Sequence, residues 1–222
     1  MQQRTALIVG ATGLVGKHLV EQLCNNPAYN SVTAIVRKPL QYSHPKLTQE
    51  TVDFNNLESS RSLINAQDVF CTLGTTIRVA GSQEAFRKVD FDYPVHVAEI
   101  ALANGAEQYF IVTAIGADAR SAVFYSRVKG EVEEKIASLG YRTFATFQPS
   151  FLLGTRAEAR LGEELGIIAA QILGFALIGP LKKYRAIKAE TVARAMMLEA
   201  LKNQAGKRVL ESDVIQEIAD KG

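Results

Sequence analysis

The chain has 222 residues, 47% hydrophobic and 22% charged, which is enough for one substantial buried core and near the average for globular proteins. Its net charge of +2 comes from scattered lysines and arginines with no long basic block, so the sequence offers no footing for a nucleic-acid partner. Two cysteines without a CxxC pair and three histidines (His18, His44, His96) without shared spacing give no metal site, and Cys24 and Cys71 are expected to be reduced core thiols.

In chain order, Ala6 to Val9 is an apolar strand that begins too early to leave room for a secretory signal, and on that ground a cytosolic protein is expected. The strand breaks into Gly10-Ala11-Thr12-Gly13-Leu14-Val15-Gly16. Gly10 allows a tight turn, Gly13 lets phosphate oxygens approach the backbone, and Gly16 lets a helix pack closely on the strand. Val15, Leu19 and Leu23 then mark one face of that helix, which Asn25-Asn26-Pro27 stops, and its free amides favour an anion. This is the outline of a dinucleotide-binding turn.

Val32 to Val36 reads as a second strand closed by Arg37-Lys38-Pro39, and a third ends at Val52-Asp53-Phe54. Asp68 to Leu73 is a fourth, followed by Gly74-Thr75-Thr76 and a connection to Gly81 of the length that often borders a cofactor. Ser82 caps a helix that continues through a kink at Pro94 to Asn104-Gly105. Tyr109 to Ala114 and Thr143 to Phe147 are the fifth and sixth strands, and the helix between them runs from Phe124 to Leu139. Ala193, Met196, Met197, Ala200 and Leu201 form one helical face, ahead of a short strand at Val209-Leu210 and a last helix capped by Ser212.

Strands alternating with helices at this spacing predict an α/β fold, a doubly wound parallel sheet of Rossmann type in one domain spanning residues 1–222. Residues 150–189 break the alternation and are expected to form a substrate-side elaboration. Within them, Leu165 to Ile178 is apolar but falls short of the about 18 consecutive apolar residues of a membrane span, and reads as a covering helix in preference to a subunit or membrane-surface contact.

An NAD site commonly places an acidic residue about 20 positions beyond the glycines. Here Arg37 and Lys38 stand instead, suited to a ribose 2′-phosphate, so NADP(H) is the expected cofactor. Asp53 touches the adenine edge or starts the following turn. Further on, Tyr125 and Lys129 lie four residues apart on one helical face, where an ammonium lowers the pKa of a phenol and also reaches the nicotinamide ribose. Thr113, at the end of the fifth strand, supplies a hydroxyl for a carbonyl oxygen.

With Gly-Ala-Thr-Gly-Leu-Val-Gly at 10–16, Cys71 to Thr76, Val89 to Tyr93, Gly116-Ala117-Asp118 and Tyr125 to Lys135, nearly the whole chain resembles the short-chain dehydrogenase/reductase superfamily, in the atypical branch similar to the HIV Tat-interacting protein oxidoreductase. The resemblance implies that Thr12 to Val15 and Leu73-Gly74 line the cofactor, that Tyr125 donates a proton and that Lys129 holds the ribose. It also brings Leu152 to the nicotinamide end and Arg156 and Arg160 to phosphate or substrate. Thr113-Ala114 departs from the usual serine, and Gln148 stands where this branch often has arginine before proline. The expected activity is NADP(H)-dependent hydride transfer to or from a small carbonyl or alcohol. The rival is an NADPH-binding regulator with little turnover, and a homodimer or protein partner stays open.

Overall fold

The computed structural model describes residues 3–154 and 177–221. Seven strands, β1 (Arg4–Val9), β2 (Tyr29–Val36), β3 (Leu47–Thr51), β4 (Asp68–Cys71), β5 (Gln108–Val112), β6 (Thr143–Gln148) and β9 (Gly206–Glu211), form one sheet in the order β3-β2-β1-β4-β5-β6-β9. Every neighbouring pair is parallel. β7 (Leu152–Leu153) and β8 (Ile187–Lys188) make a separate parallel pair.

The inner strands β1, β4, β5 and β6 are buried on both faces, and their two-residue period divides the core accordingly. Ala6 and Ile8 of β1 join the cluster beneath α1 (Leu14–Asn25), whereas Leu7 and Val9 join the opposite cluster with Val69 and Ile111. The C-terminal helices α6 (Ala189–Lys202) and α7 (Ser212–Lys221) complete the first face through Val192, Met196 and Ile215. On the second face lie α4 (Tyr93–Ala103) and α5 (Phe124–Ala137), which contribute Val97, Ile100, Val132 and Ile136. Cys24 and Cys71 sit in opposite clusters, and burial pushes each thiol up to about 11, so both stay protonated at neutral pH.

Among the described residues the predicted strands and helices are present with the following differences, and the covering helix expected over Leu165 to Ile178 falls outside them but for its last two residues. Between β4 and α4 the chain forms the short helices α2 (Ile77–Ala80) and α3 (Gln83–Arg87), capped by Thr76 and Ser82, and then a π-helical turn over Lys88–Asp92. This turn is the form the expected kink takes, widening the helix immediately before Pro94. A 3₁₀ turn, Leu57–Leu63, precedes β4. Ser212 binds elsewhere than its own helix: its hydroxyl accepts the Ser150 amide at 2.8 Å and so ties the loop after β6 to α7.

At the amino-terminal edge of the sheet Asp68, fully buried, accepts hydrogen bonds from Arg4, from the Tyr29 hydroxyl at 2.9 Å and from Gln108 Nε2 at 2.7 Å. Four strands are thereby joined at the end opposite the ligand-binding edge of such sheets. Strand order reverses direction between β1 and β4, and the loops leaving these two strands meet there.

Candidate functional site

Gly10 has φ +84°, and a Cβ built there would lie 2.5 Å from the Thr72 carbonyl carbon. A Cβ at Gly16 would lie 2.3 Å from the Gly10 oxygen. These two glycines are therefore dictated by the close meeting of β1, α1 and the end of β4. Gly13 differs, since its Cβ position is 3.1 Å from the Gly10 oxygen, and its amide donates to that oxygen at 2.9 Å. Thr72 clamps the turn with its one hydroxyl proton, shared between the oxygens of Val9 and Gly10 at 3.1 and 3.0 Å. Helix α1 has neither a side-chain cap nor an acidic residue in its first turn, which leaves its first amides and its positive dipole end for an anion.

Beside this turn lies a cavity of about 400 Å³ lined by Gly10, Thr12, Gly13, Arg37, Phe54 and Thr72 to Thr75, with Val79 and Tyr93 on its far wall. Among the described lining residues Arg37 is the one charged side chain, and none of them is a carboxylate. The backbone cradle, apolar wall and single guanidinium fit the phosphates and base of a dinucleotide. Lys38 is exposed and outside this lining. Of the two alternatives for Asp53, the turn is the one observed, because its Oδ1 accepts the Asn55 amide at 2.9 Å while Phe54 supplies the cavity wall. Val15 is a core side chain that could offer only its amide, Leu14 packs beneath Gly154, and Leu152 packs on the first core cluster. Arg156 and Arg160 lie outside the described residues.

Tyr125 and Lys129 share a face of α5 as their spacing predicts, with the ammonium 6.0 Å from the phenol ring centroid and the ring leaning on Phe86 at 5.5 Å. The sequence reading missed the partner of the lysine. Lys129 Nζ stands 2.7 Å from Asp90 Oδ1, with side-chain exposures of 6% and 0%, while Asp90 Oδ2 accepts the amide of Thr75 at 3.0 Å. Asp90 comes from the π-helical turn, so this widened stretch delivers a carboxylate to the site. Burial pulls the Lys129 pKa down, but Asp90 and the nearby Tyr125 more than reverse this, and the ammonium is held charged above its ordinary value. Gly74 lies over the pair, its Cβ position 3.6 Å from Asp90 Oδ1 and 3.7 Å from Lys129 Nζ. Cavity wall and ion pair are thus contiguous. The signal for Asp90 lay in the Val89 to Tyr93 block, but without a reason to pair it with Lys129.

Thr113 does not stand as expected. It is buried, and its hydroxyl donates to Glu133 Oε1 at 2.5 Å, so the proton meant for a carbonyl oxygen points into the protein. Gln148 completes the cluster, its Nε2 donating to both Glu133 oxygens at 2.9 and 3.0 Å. Among the described residues no group of three or more His, Cys, Asp or Glu could hold a metal ion, and no helix is long and apolar enough to cross a membrane.

Residues 10–139, more than half of the sequence, match the model of a family described as NAD(P)H-binding. The chain belongs to the NAD(P)H-binding family. This NAD(P)H-binding chain is 35% identical over 220 residues to Protein HTATIP2 of Rattus norvegicus, covering 97% of itself and 89% of that protein. It is 33% identical over 175 residues to the mitochondrial Protein FMP52 of Candida albicans, covering 77% and 75%. Among solved structures it resembles MoeE5 in complex with UDP-glucuronic acid and NAD, with TM-score 0.72, 19% identity and coverage of 93% and 75%. It also resembles the Bordetella bronchiseptica enzyme WbmH in complex with NAD⁺, with TM-score 0.71, 16% identity and coverage of 99% and 80%. The fold and the short-chain dehydrogenase/reductase resemblance stand. The cytosolic expectation is overturned, because relatives from Candida albicans and Emericella nidulans are named as mitochondrial proteins. The early first strand, on which that expectation rested, carries no information about organelles within the cell.

Proposed function

We infer that this member of the family is an NADP(H)-dependent oxidoreductase acting on a small carbonyl or alcohol. The observation that carries the reading is the buried Lys129–Asp90 pair set against Gly74 and Thr75 of the cofactor cavity, with Tyr125 one helical turn before the lysine. The Gly10 to Gly16 turn and the first amides of α1 would hold the pyrophosphate, and Arg37 a 2′-phosphate. Preference for NADP(H) is supported by Arg37, the one charged side chain among the described lining residues, none of which is a carboxylate. When bound, the nicotinamide supplies the hydride. Lys129, held charged by Asp90, orients the ribose through hydrogen bonds, and the phenol of Tyr125 exchanges a proton with the substrate oxygen. Leu73, Val79 and Val89 supply an apolar side of the cavity.

The test is a screen of aldehydes, ketones and quinones for NADPH oxidation, repeated with Tyr125→Phe. Turnover that the substitution cuts by about 100-fold or more supports the reading. Turnover indifferent to it would remove Tyr125 from the chemistry. A second reading, an NADPH-responsive regulator with little turnover, is favoured by the inward Thr113 hydroxyl. For that reading nucleotide binding must change the assembly state or partner capture, and binding without such a change defeats it.

A further inference from the structure

Glu133 is only 7% exposed, and the hydrogen bonds it accepts come from two neutral side chains, Thr113 of the β5 end and Gln148 of β6. Two cations face it, Lys129 one turn earlier on α5 and the exposed Lys207 on β9, but Lys129 is already paired with Asp90. Among the described residues no cation lies within ion-pair distance of it. A carboxylate so placed has lost its water and gained no charge partner.

Thr113 immediately follows β5, with its amide still bonded to Phe147 of β6, at the carboxyl edge where ligands of such sheets bind. Its one hydroxyl proton has two destinations. We propose that Glu133 is the positioning residue for this hydroxyl: as a carboxylate it draws the Thr113 proton inward, and as a carboxylic acid it donates to Thr113 Oγ1 and frees that proton for a substrate carbonyl oxygen. The atoms allow both states. With its proton on Oε1, Glu133 donates to Thr113 and still accepts Gln148 at Oε2, so every group stays satisfied. Burial raises the pKa of this carboxyl, and the Thr113 and Gln148 hydrogen bonds and the two lysines only partly oppose the rise. The inference rests on the oxidoreductase reading and gives that site an element that turns on as pH falls.

Two measurements on the whole chain decide it. The first is kcat for carbonyl reduction at saturating NADPH from about pH 5 to about pH 9, in the native protein and in Glu133→Gln, Gln148→Arg and Thr113→Val. The native rate rises toward acid. In Gln148→Arg the midpoint moves down by about one to three pH units, because a cation favours the carboxylate. In Glu133→Gln and Thr113→Val the rise disappears. A purely structural Glu133 would change stability and leave the midpoint of Gln148→Arg where it was, which would overturn the proposal. The second measurement, the side-chain ¹³C signal of Glu133 over the same range, needs no turnover. It must titrate, and its midpoint must shift in Gln148→Arg. A Glu133 ionised throughout overturns the proposal even in an active enzyme, whereas absent turnover with a titrating Glu133 defeats the oxidoreductase reading instead.

Discussion

Replacing Asp90 with asparagine preserves shape and leaves acceptors for Lys129 and the Thr75 amide, but removes the charge opposite a buried ammonium. At 2.7 Å the lost attraction is about 6 kcal/mol for an effective dielectric near 20, offset by several kcal/mol because Asp90 itself no longer has to be desolvated. The net loss expected is about 3 kcal/mol. It has a ceiling of about 4.6 kcal/mol at pH 7, the free energy needed to discharge an ordinary lysine, since the protein can always release that proton. A penalty of that size pulls the folded-state Lys129 pKa of the variant below its unfolded value. The sign follows from proton counting. Between that lowered value and the ordinary lysine value the unfolded variant binds more protons than the folded one, so stability rises with pH and the deficit shrinks. In the native protein the Lys129 pKa is raised, so the lysine's own contribution is present below the unfolded lysine value and fades only above it, while burial raises the Asp90 pKa and the pair is lost in acid when that carboxylate protonates. Urea unfolding of both proteins at about pH 7 and about pH 9.5 reads the difference. A deficit below about 1 kcal/mol, or one that stays constant across that interval, would refute the reasoning.

Arg37→Ala should weaken NADPH by about 10- to 100-fold and NADH by little, the size of a charge-assisted hydrogen bond, as read by fluorescence titration; equal losses would make Arg37 a bystander. Gly10→Ala combines a positive φ with the 2.5 Å overlap on Thr72 and should cost about 2 kcal/mol or more and abolish nucleotide binding. A variant that still binds nucleotide would show that the turn relaxes freely. Asp68→Ala leaves Arg4, Tyr29 and Gln108 facing an empty site at the amino-terminal edge and should cost about 3 to 5 kcal/mol by denaturant unfolding. The folded fraction should keep its NADPH affinity, and a large change there would join the two ends of the sheet.

The sheet was legible because its signals are local: apolar runs, glycine and proline stops, and the helical period of Val15, Leu19 and Leu23 place most elements unaided. Glycines 10, 13 and 16 and the Tyr125–Lys129 spacing are local in the same sense. What escaped is long-range pairing. Nothing in the neighbourhood of Asp90 indicates Lys129, nor does the apolar run around Thr113 indicate Glu133, because each pair forms only when two elements pack. Thr72 escaped for a related reason, as its clamp on Gly10 exists only where β4 lies beside β1. For Asp53, whose sequence context allows an adenine contact or a turn, the structure shows the turn within its own loop.

The π-helical turn at Lys88–Asp92 also separates the length of the chain from the packing of its core. Each residue of an α-helix advances the next by about 100°, and a widened turn absorbs one extra residue without passing that rotation on to either flank. Removing one residue inside the turn would let α3 and α4 run on as a regular helix, with Phe86 and Ile100 still facing their present neighbours. Only the short stretch between them would change phase and carry the Asp90 carboxylate away from Lys129. A single-codon deletion could therefore unmake the charged centre of this site and leave a well-folded nucleotide-binding shell.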